Sequence, residues 1–279
     1  MIEIKNLTFA YQKGRPVFEN LNLSLHGGHI YGLLGKNGSG KSTLLKNIAG
    51  LAFPQLGHCL VSGKNSSRRD VATLEQIYFI PEEIFVPPIS THQFLKTSAV
   101  FYPKFNVKDF YSHLNILDVD PEAVMTTMSY GQQKKVMIAF GLATNTNILI
   151  MDEPTNGLDI PSKVQFRKLI VSAVTNSRCI IISTHQVRDL DSLIDFLLIL
   201  DHHNIVVEKS LDELTELLEF GVRADTANDG ILYHEKNIKG NQVILQNRSG
   251  QYGKIDLELL FNGVTNRSEQ LLEVLKSDK

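Results

Sequence analysis

The sequence predicts an α/β fold in which a mainly parallel sheet carries helices on both faces. Two patterns predict it. Short apolar runs, too brief for helices, recur up to about Val207, and helical stretches alternate with them. A strand that is apolar at every position is buried on both sides, and strand–helix alternation is how parallel neighbours are joined. Bulk composition agrees: 279 residues, 43% hydrophobic and 21% charged, suit a soluble globular chain with one large domain, or one domain and an appendage.

Taken in order, MIEIKNLTF at the N-terminus alternates polar and apolar residues and reads as a strand instead of a signal peptide. HIYGLL before Gly35, QIYFIP before Glu82, NILIMDE before Pro154, RCIIIST before His185 and FLLILDHHNIVV up to Val207 read as buried strands. Helices are expected at Ser42 to Ala49, Gly131 to Leu142, Ser162 to Val174 and Val187 to Leu193. Between Pro81 and Ser129 the alternation breaks. Pro87-Pro88 is followed by amphipathic runs from Thr91 to Val100 and Val107 to Ile116, which suggests a helical subdomain, residues 82–128, inserted into a domain of residues 1–210. The character shifts again from Leu211. LDELTELLEF reads as a helix, GILYHEK and NQVILQN as strands and EQLLEVLK as a terminal helix, so residues 211–279 form a C-terminal extension.

These properties exclude several classes. A net charge of −2 gives no chain-wide basic field for nucleic acid or an anionic membrane surface. Cys59 and Cys179 lie far apart in apolar stretches with no Cys/His cluster, so neither a zinc site nor a disulfide framework is indicated. The longest apolar runs, such as FLLIL at Phe196 to Leu200, fall far short of the roughly 18 to 20 residues that span a bilayer.

GKNGSGKST, from Gly35 to Thr43, matches G-x-x-x-x-G-K-[ST] directly after a buried strand and directly before a helix. Gly35, Gly38 and Gly40 free the backbone, with Lys36, Asn37 and Ser39 between them, to wrap N–H groups around phosphate oxygens while the helix points its positive end at them. Lys41 would reach the β- and γ-phosphates and Ser42 would bind Mg²⁺. ILIMDE, from Ile148 to Glu153, delivers two carboxylates at the C-terminal end of a strand, where such sheets bind ligands. Asp152 suits Mg²⁺, and Glu153 suits deprotonation of an attacking water. His185 in STHQ ends another buried strand on the same edge.

MSYGQQ, from Met128 to Gln133, precedes the helical run KKVMIAFGLA. By itself it reads as a cap: a Ser before a helix accepts from an orphan N–H. With the phosphate loop, the acidic strand and His185 placed around it, the chain resembles the ATP-binding-cassette ATPases, the nucleotide-binding subunits of ABC transporters, over roughly residues 1–210. The resemblance implies a P-loop NTPase fold with a mainly parallel central sheet, an N-terminal antiparallel β portion, an inserted helical subdomain and a small C-terminal α+β extension. It implies that GKNGSGKS is the Walker A loop, ILIMDE the Walker B strand with Glu153 as general base, and STH the switch with His185. Asp159 falls in the D-loop, and Tyr11 matches the aromatic that stacks on adenine, with Phe9 as a fallback. MSYGQQ falls where the family has its signature, so Ser129, Gly131 and Gln132 would meet the γ-phosphate of ATP held by a second cassette.

Two residues depart from the family pattern. Tyr130 stands where the signature has its first Gly, which is harmless if its side chain points away from the nucleotide. Glu82 stands in place of the Q-loop glutamine; it retains an oxygen for Mg²⁺ but adds negative charge and loses the N–H donor. Glu here resembles exporter subunits of drug and bacteriocin efflux. The family reading implies MgATP hydrolysis by a homodimer or heterodimer of cassettes, coupled to an integral membrane permease, on the cytoplasmic face of the membrane and without direct nucleic-acid contact. Phe85, Phe101, Tyr102 and Phe105 are candidate permease contacts, though aromatics at such spacing are more often core. Two rival classes are a soluble cassette ATPase acting on a ribosome or nucleic acid, and a P-loop kinase or GTPase. The segment between Lys41 and Asp152 lacks the sustained heptads of the first, and no N-K-x-D stretch supports a GTPase.

Overall fold

The computed structural model describes residues 1–224, 230–238, 240–248, 250 and 252–276. In chain order, β1 (Ile2–Gln12) and β2 (Arg15–Leu25) form a hairpin, and β3 (Ile30–Leu34) leads through the glycine loop into α1 (Lys41–Ile48). β4 (Leu56–Val61), β5 (Lys64–Asn65), α2 (Val71–Leu74) and β6 (Ile77–Ile80) follow, then α3 (Thr91–Ser98), α4 (Val107–Ile116) and α5 (Tyr130–Ala143). The main body closes with β7 (Ile148–Asp152), α6 (Ile160–Ser172), β8 (Cys179–Thr184), β9 (Phe196–Asp201) and β10 (Asn204–Ser210). The C-terminal region comprises α7 (Leu211–Leu217), β11 (Leu218–Arg223), β12 (Ile231–Asn237), β13 (Gly240–Gln246), α8 (Leu257–Thr265) and α9 (Glu269–Lys276).

Among the described residues the central sheet has the order β10-β9-β3-β8-β7-β6, parallel except for β10 at one edge. An antiparallel sheet, β2-β1-β4-β5, packs beside it, and β11-β13-β12 makes a third, antiparallel sheet. The apolar strands are buried on both faces, as their composition requires. Ile148 and Ile150 join a core with α1 and the antiparallel sheet, whereas Leu149 and Met151 join a core with α5, α6 and the C-terminal region. A slip of one residue would exchange the two sets, so both faces hold the register.

That register builds the functional edge. Leu34 pairs with Thr184, Asp152 with Ser183 and Ile80 with Met151. Because β3, β8, β7 and β6 run parallel, the residues after each emerge together on one side of the sheet.

Several local expectations give way to tertiary context. FLLILDHHNIVV is a hairpin, not one strand: β9 turns into β10 through His202 and His203, both at positive φ (43° and 67°). Two consecutive left-handed residues reverse a chain tightly, and the polar DHHN was its signal. Val187 to Leu193 holds only a 3₁₀ turn at Val187–Asp189. Its buried Val187, Leu190 and Leu193 have helical spacing, but the run is too short to pay for helix nucleation, and Asp189 is drawn to Lys163 at 2.9 Å. The helix expected over LDELTELLEF stops at Leu217, because Leu218 to Phe220 pair with β13. Helix α8, capped by Asp256, had no counterpart in the sequence reading.

The C-terminal region shares the main core through Leu214, Leu260 and Leu271. Within 211–279, residues 225–229, 239, 249, 251 and 277–279 lie outside the described set.

Candidate nucleotide site

The loop between β3 and α1 is shaped by its glycines. Gly38 and Gly40 take φ of 79° and 109°, and a Cβ on Gly40 would lie 3.0 Å from the Phe18 ring. Ser39 Oγ is buried inside the loop without a hydrogen-bond partner among the described residues. Lys41 is only 7% exposed, and its Nζ donates to the carbonyls of Gly35 at 2.7 Å and Lys36 at 3.3 Å. Burial lowers the lysine pKa, and the carboxylates of Glu153, Asp152 and Glu82 oppose that shift. An ammonium already stripped of much of its water and held by two carbonyls is ready to exchange them for phosphate oxygens.

Asp152 and Glu153 are 2% and 3% exposed. The Ser183 hydroxyl donates to Asp152 Oδ1. Glu153 accepts three hydrogen bonds: at Oε1 from the His185 backbone N–H (2.9 Å) and ring Nδ1 (2.7 Å), and at Oε2 from Thr184 Oγ1 (3.0 Å). An ionised carboxylate has about four lone-pair sites, so roughly one remains for a water. Because it only accepts, the His185 proton sits on Nδ1, and Nε2 is where a second proton would go. Glu153 itself has φ of 48°, a left-handed backbone costing a non-Gly residue about 1–3 kcal/mol, of the kind stored at functional sites.

These groups border one cleft of about 450 Å³, with Asn37, Gly38, Gly40, Lys41, Ser42 and Thr43 along the loop and Tyr11, Glu82, Asp152, Glu153 and His185 around it. Gly35, Lys36 and Ser39 back the loop. Tyr11 is 61% exposed, with its hydroxyl 3.2 Å from Thr43 Oγ1. Phe9 packs edge-on against it at 4.9 Å but is itself buried, so Phe9 is core and has no free face for a base.

Ser129, Gly131, Gln132 and Asp159 line a different hollow, of about 330 Å³, that shares no lining residue with the cleft. Ser129 caps α5 in a reciprocal box with Gln132: its Oγ accepts from Gln132 N at 3.3 Å and Gln132 Oε1 accepts from Ser129 N at 3.1 Å. A Cβ on Gly131 would sit 2.6 Å from the Gly157 carbonyl oxygen, so only glycine fits there. Asp159 caps α6, and its bonds with Ser162 hold its carboxyl below the usual range. Tyr130 points away from this hollow, and its hydroxyl donates to the Glu82 carbonyl.

Among the described residues no three His, Cys, Asp or Glu gather into a metal cluster. Ser42, Asp152 and Glu82 offer oxygen donors only, the set a hard cation completes with phosphate and water. The donor chemistry therefore fits Mg²⁺. Two cleft residues escaped the sequence reading. Val17 lies on β2, and nothing in its neighbourhood marks it. His203 binds the Ser39 carbonyl through Nδ1 at 3.0 Å, and the misread DHHN turn would have flagged it. Phe101 and Tyr102 line a surface groove with Leu51, Val71, Leu74 and Val100, and Phe85 is fully exposed, whereas Phe105 packs on Phe110 and Phe140 in the core.

A family model described as ABC transporter matches residues 18–156. The lantibiotic transport ATP-binding protein SrtF of Streptococcus pyogenes is 30% identical over 221 residues, covering 78% of this chain and 95% of that protein. The cobalt import ATP-binding protein CbiO of Salmonella paratyphi A is 31% identical, covering 78% and 85%. An ATP-binding cassette solved as a dimer in a post-hydrolysis state with ADP and Pi superposes with a TM-score of 0.67 at 23% identity, covering 76% of this chain and 99% of that one.

Proposed function

The chain belongs to the ABC transporter family as an ATP-binding, ATP-hydrolysing subunit, and from that premise we propose how its parts work and what they drive. The observation that carries the reading is the separation of the two hollows. One holds the phosphate loop, the acidic pair and the His switch; the other holds the signature. Neither is whole. Two copies, or this chain and a second cassette, close head to tail so that each signature meets the γ-phosphate in the other's cleft.

In the cleft, Tyr11 stacks on adenine, the Gly35–Thr43 backbone cradles the phosphates and Lys41 moves from its two carbonyls to the β- and γ-phosphates. Glu153 takes a proton from the attacking water through its remaining lone-pair site, while His185 holds the carboxylate in place. Ser42, Asp152 and Glu82 would hold Mg²⁺, which when bound offsets the charge of the phosphates. Ser129 exchanges its bond from Gln132 N for the partner's phosphate, and the end of α5 offers its freed N–H groups.

The groove of Leu51, Val71, Leu74, Val100, Phe101 and Tyr102, about 510 Å³ and open to solvent, is the seat of the membrane permease. No helix among the described residues is long and apolar enough to cross a membrane. Export is the proposed direction, supported by Glu82 in the Q-loop position and by the likeness to a lantibiotic transport protein.

The test is nucleotide-dependent association. Glu153→Gln, which leaves the cradle and signature intact, should run as a dimer with ATP and as separate chains with ADP. Failure to associate with ATP, with binding of ATP intact, would refute head-to-tail closure.

A further inference from the structure

Lys134 is fully buried, yet no step of the proposed reaction uses its charge. It lies on α5, one turn beyond the Ser129 cap, and its Nζ points back to the cleft. It donates to the Glu153 carbonyl at 2.7 Å and to the Glu82 carbonyl at 3.3 Å. The Tyr130 ring lies 5.3 Å from the same ammonium, and the Tyr130 hydroxyl donates to the same Glu82 carbonyl. Packing alone would be served by Met or Leu. A buried ammonium is costly unless paired, and here both acceptors belong to acidic residues of the cleft. Burial lowers its pKa, and Glu82, Glu153 and Asp152 hold the charge in place.

The Glu153 backbone explains why such a hold is needed. At φ of 48° the residue is in a conformation that relaxes unless surrounding bonds retain it. Its N–H is fixed by the Ser183 carbonyl at 3.0 Å and its carbonyl by Lys134. With both flanking peptide groups anchored, the direction of the Cα–Cβ bond is set, and with it the carboxylate that meets His185. We propose that Lys134 is a positioning residue for this carboxylate: its ammonium clamps the carbonyls of Glu153 and Glu82 and so aims the general base from the helix that carries the signature. The proposal rests on Glu153 being the base.

Lys134→Met keeps an unbranched side chain one atom shorter and removes the donor. Its KM for ATP should stay within about twofold of the parent, while kcat falls on the order of 10- to 100-fold, the cost of a misplaced catalytic group. In a Glu153→Gln background the same substitution should change residual turnover by less than about twofold, because Lys134 acts through Glu153. A parental kcat, or an equal fall in both backgrounds, would overturn the proposal and leave Lys134 a structural residue. Lys134→Gln retains one donor and should give an intermediate kcat; if the Met variant does not fold, Gln carries the same two-background comparison. Undiminished turnover in Glu153→Gln itself would instead sink the assignment of the base.

Discussion

The phosphate cleft and the signature hollow are built in opposite ways. In the cleft the reactive groups are buried and already bonded: Lys41 to two carbonyls, Asp152 to Ser183, Glu153 to Thr184 and His185. Four parallel strands hold them, so each backbone position is set by the core on both faces. In the hollow, Ser129, Gly131 and Gln132 sit at the exposed start of one helix, with the side chains of Ser129 and Gln132 bonded to each other's backbone N–H. The cleft gathers buried carboxylates around the phosphate loop. The hollow gathers the hydroxyl and N–H groups of a helix start. Rigidity lies where the proposed proton transfer occurs, and exchangeable bonds lie where the proposed second chain would arrive.

The comparison breaks most visibly at Glu153. Glu153→Gln keeps the shape of the cleft and removes the proposed base, so turnover should fall by about 10²- to 10⁴-fold while ATP affinity stays within a few fold. Single-turnover hydrolysis and equilibrium binding check the two halves of that statement. Turnover near the parental level would mean that another group deprotonates the water.

The cleft was far more legible than the hollow, and the reason is physical. GKNGSGKST and ILIMDE combine a motif with strand and helix context, and the doubly buried strands that present them leave an unbroken apolar signal. Tyr11 could be placed only through resemblance, and Phe9 stayed a rival until burial removed it. Ser129 and Gly131 read equally as a helix cap, because anion binding and capping use the same N–H groups. That Tyr130 is directed outward toward Glu82 depends on two segments 48 positions apart meeting, which no local pattern carries. The same holds for Lys134, whose partners are backbone carbonyls, and for His203, hidden by reading a hairpin as one strand. The end of α7 and the turn at Val187 were misread because sheet pairing and a half-buried ion pair override short-range periodicity.

Tyr11 probes the exposed rim of the otherwise buried cleft. Tyr11→Ala should weaken ATP binding by about 1–3 kcal/mol, on the scale of a lost base–aromatic stack, with little change in melting temperature because the ring is mostly solvent-exposed. Titration with ATP and with inorganic triphosphate separates the cases. A matching loss for triphosphate would show that Tyr11 acts through Thr43 on the phosphate loop instead of on the base.

Glu82 sharpens the comparison from the side of charge. Its carbonyl is held by Tyr130 and Lys134, so Glu82→Gln leaves the backbone tie in place and changes only the side chain facing the cleft. Removing one negative charge beside the phosphates should tighten ATP binding, and a neutral oxygen in place of a charged one should raise the Mg²⁺ concentration needed for half-maximal turnover, each by a few fold, roughly two to ten. Unmoved values for both would place the Glu82 carboxylate outside the metal and phosphate shell.

The smallest signal comes from rejoining the two halves, and it tests the separation directly. Lys41→Ala disables the cleft of the chain that carries it. For the hollow, Gly131 is a poor target, since any side chain there meets the Gly157 carbonyl before it meets a nucleotide. Ser129→Asp is cleaner: Asp is as good a cap as Ser, so α5 should keep its start and the protein its melting temperature, while a carboxylate now faces the γ-phosphate of the partner. Each mutant homodimer should be inactive. Mixed in equal amounts, random pairing makes about half the dimers mixed, and each of those has one site with both lesions and one with neither, so single-turnover hydrolysis should return to about a quarter of the parental amplitude. If the signature served the nucleotide of its own chain, every site in every dimer would retain a lesion and mixing would restore nothing. No recovery in a sample shown by mass to contain mixed dimers would therefore overturn the trans assignment of Ser129, or show that the chain pairs productively only with a different cassette.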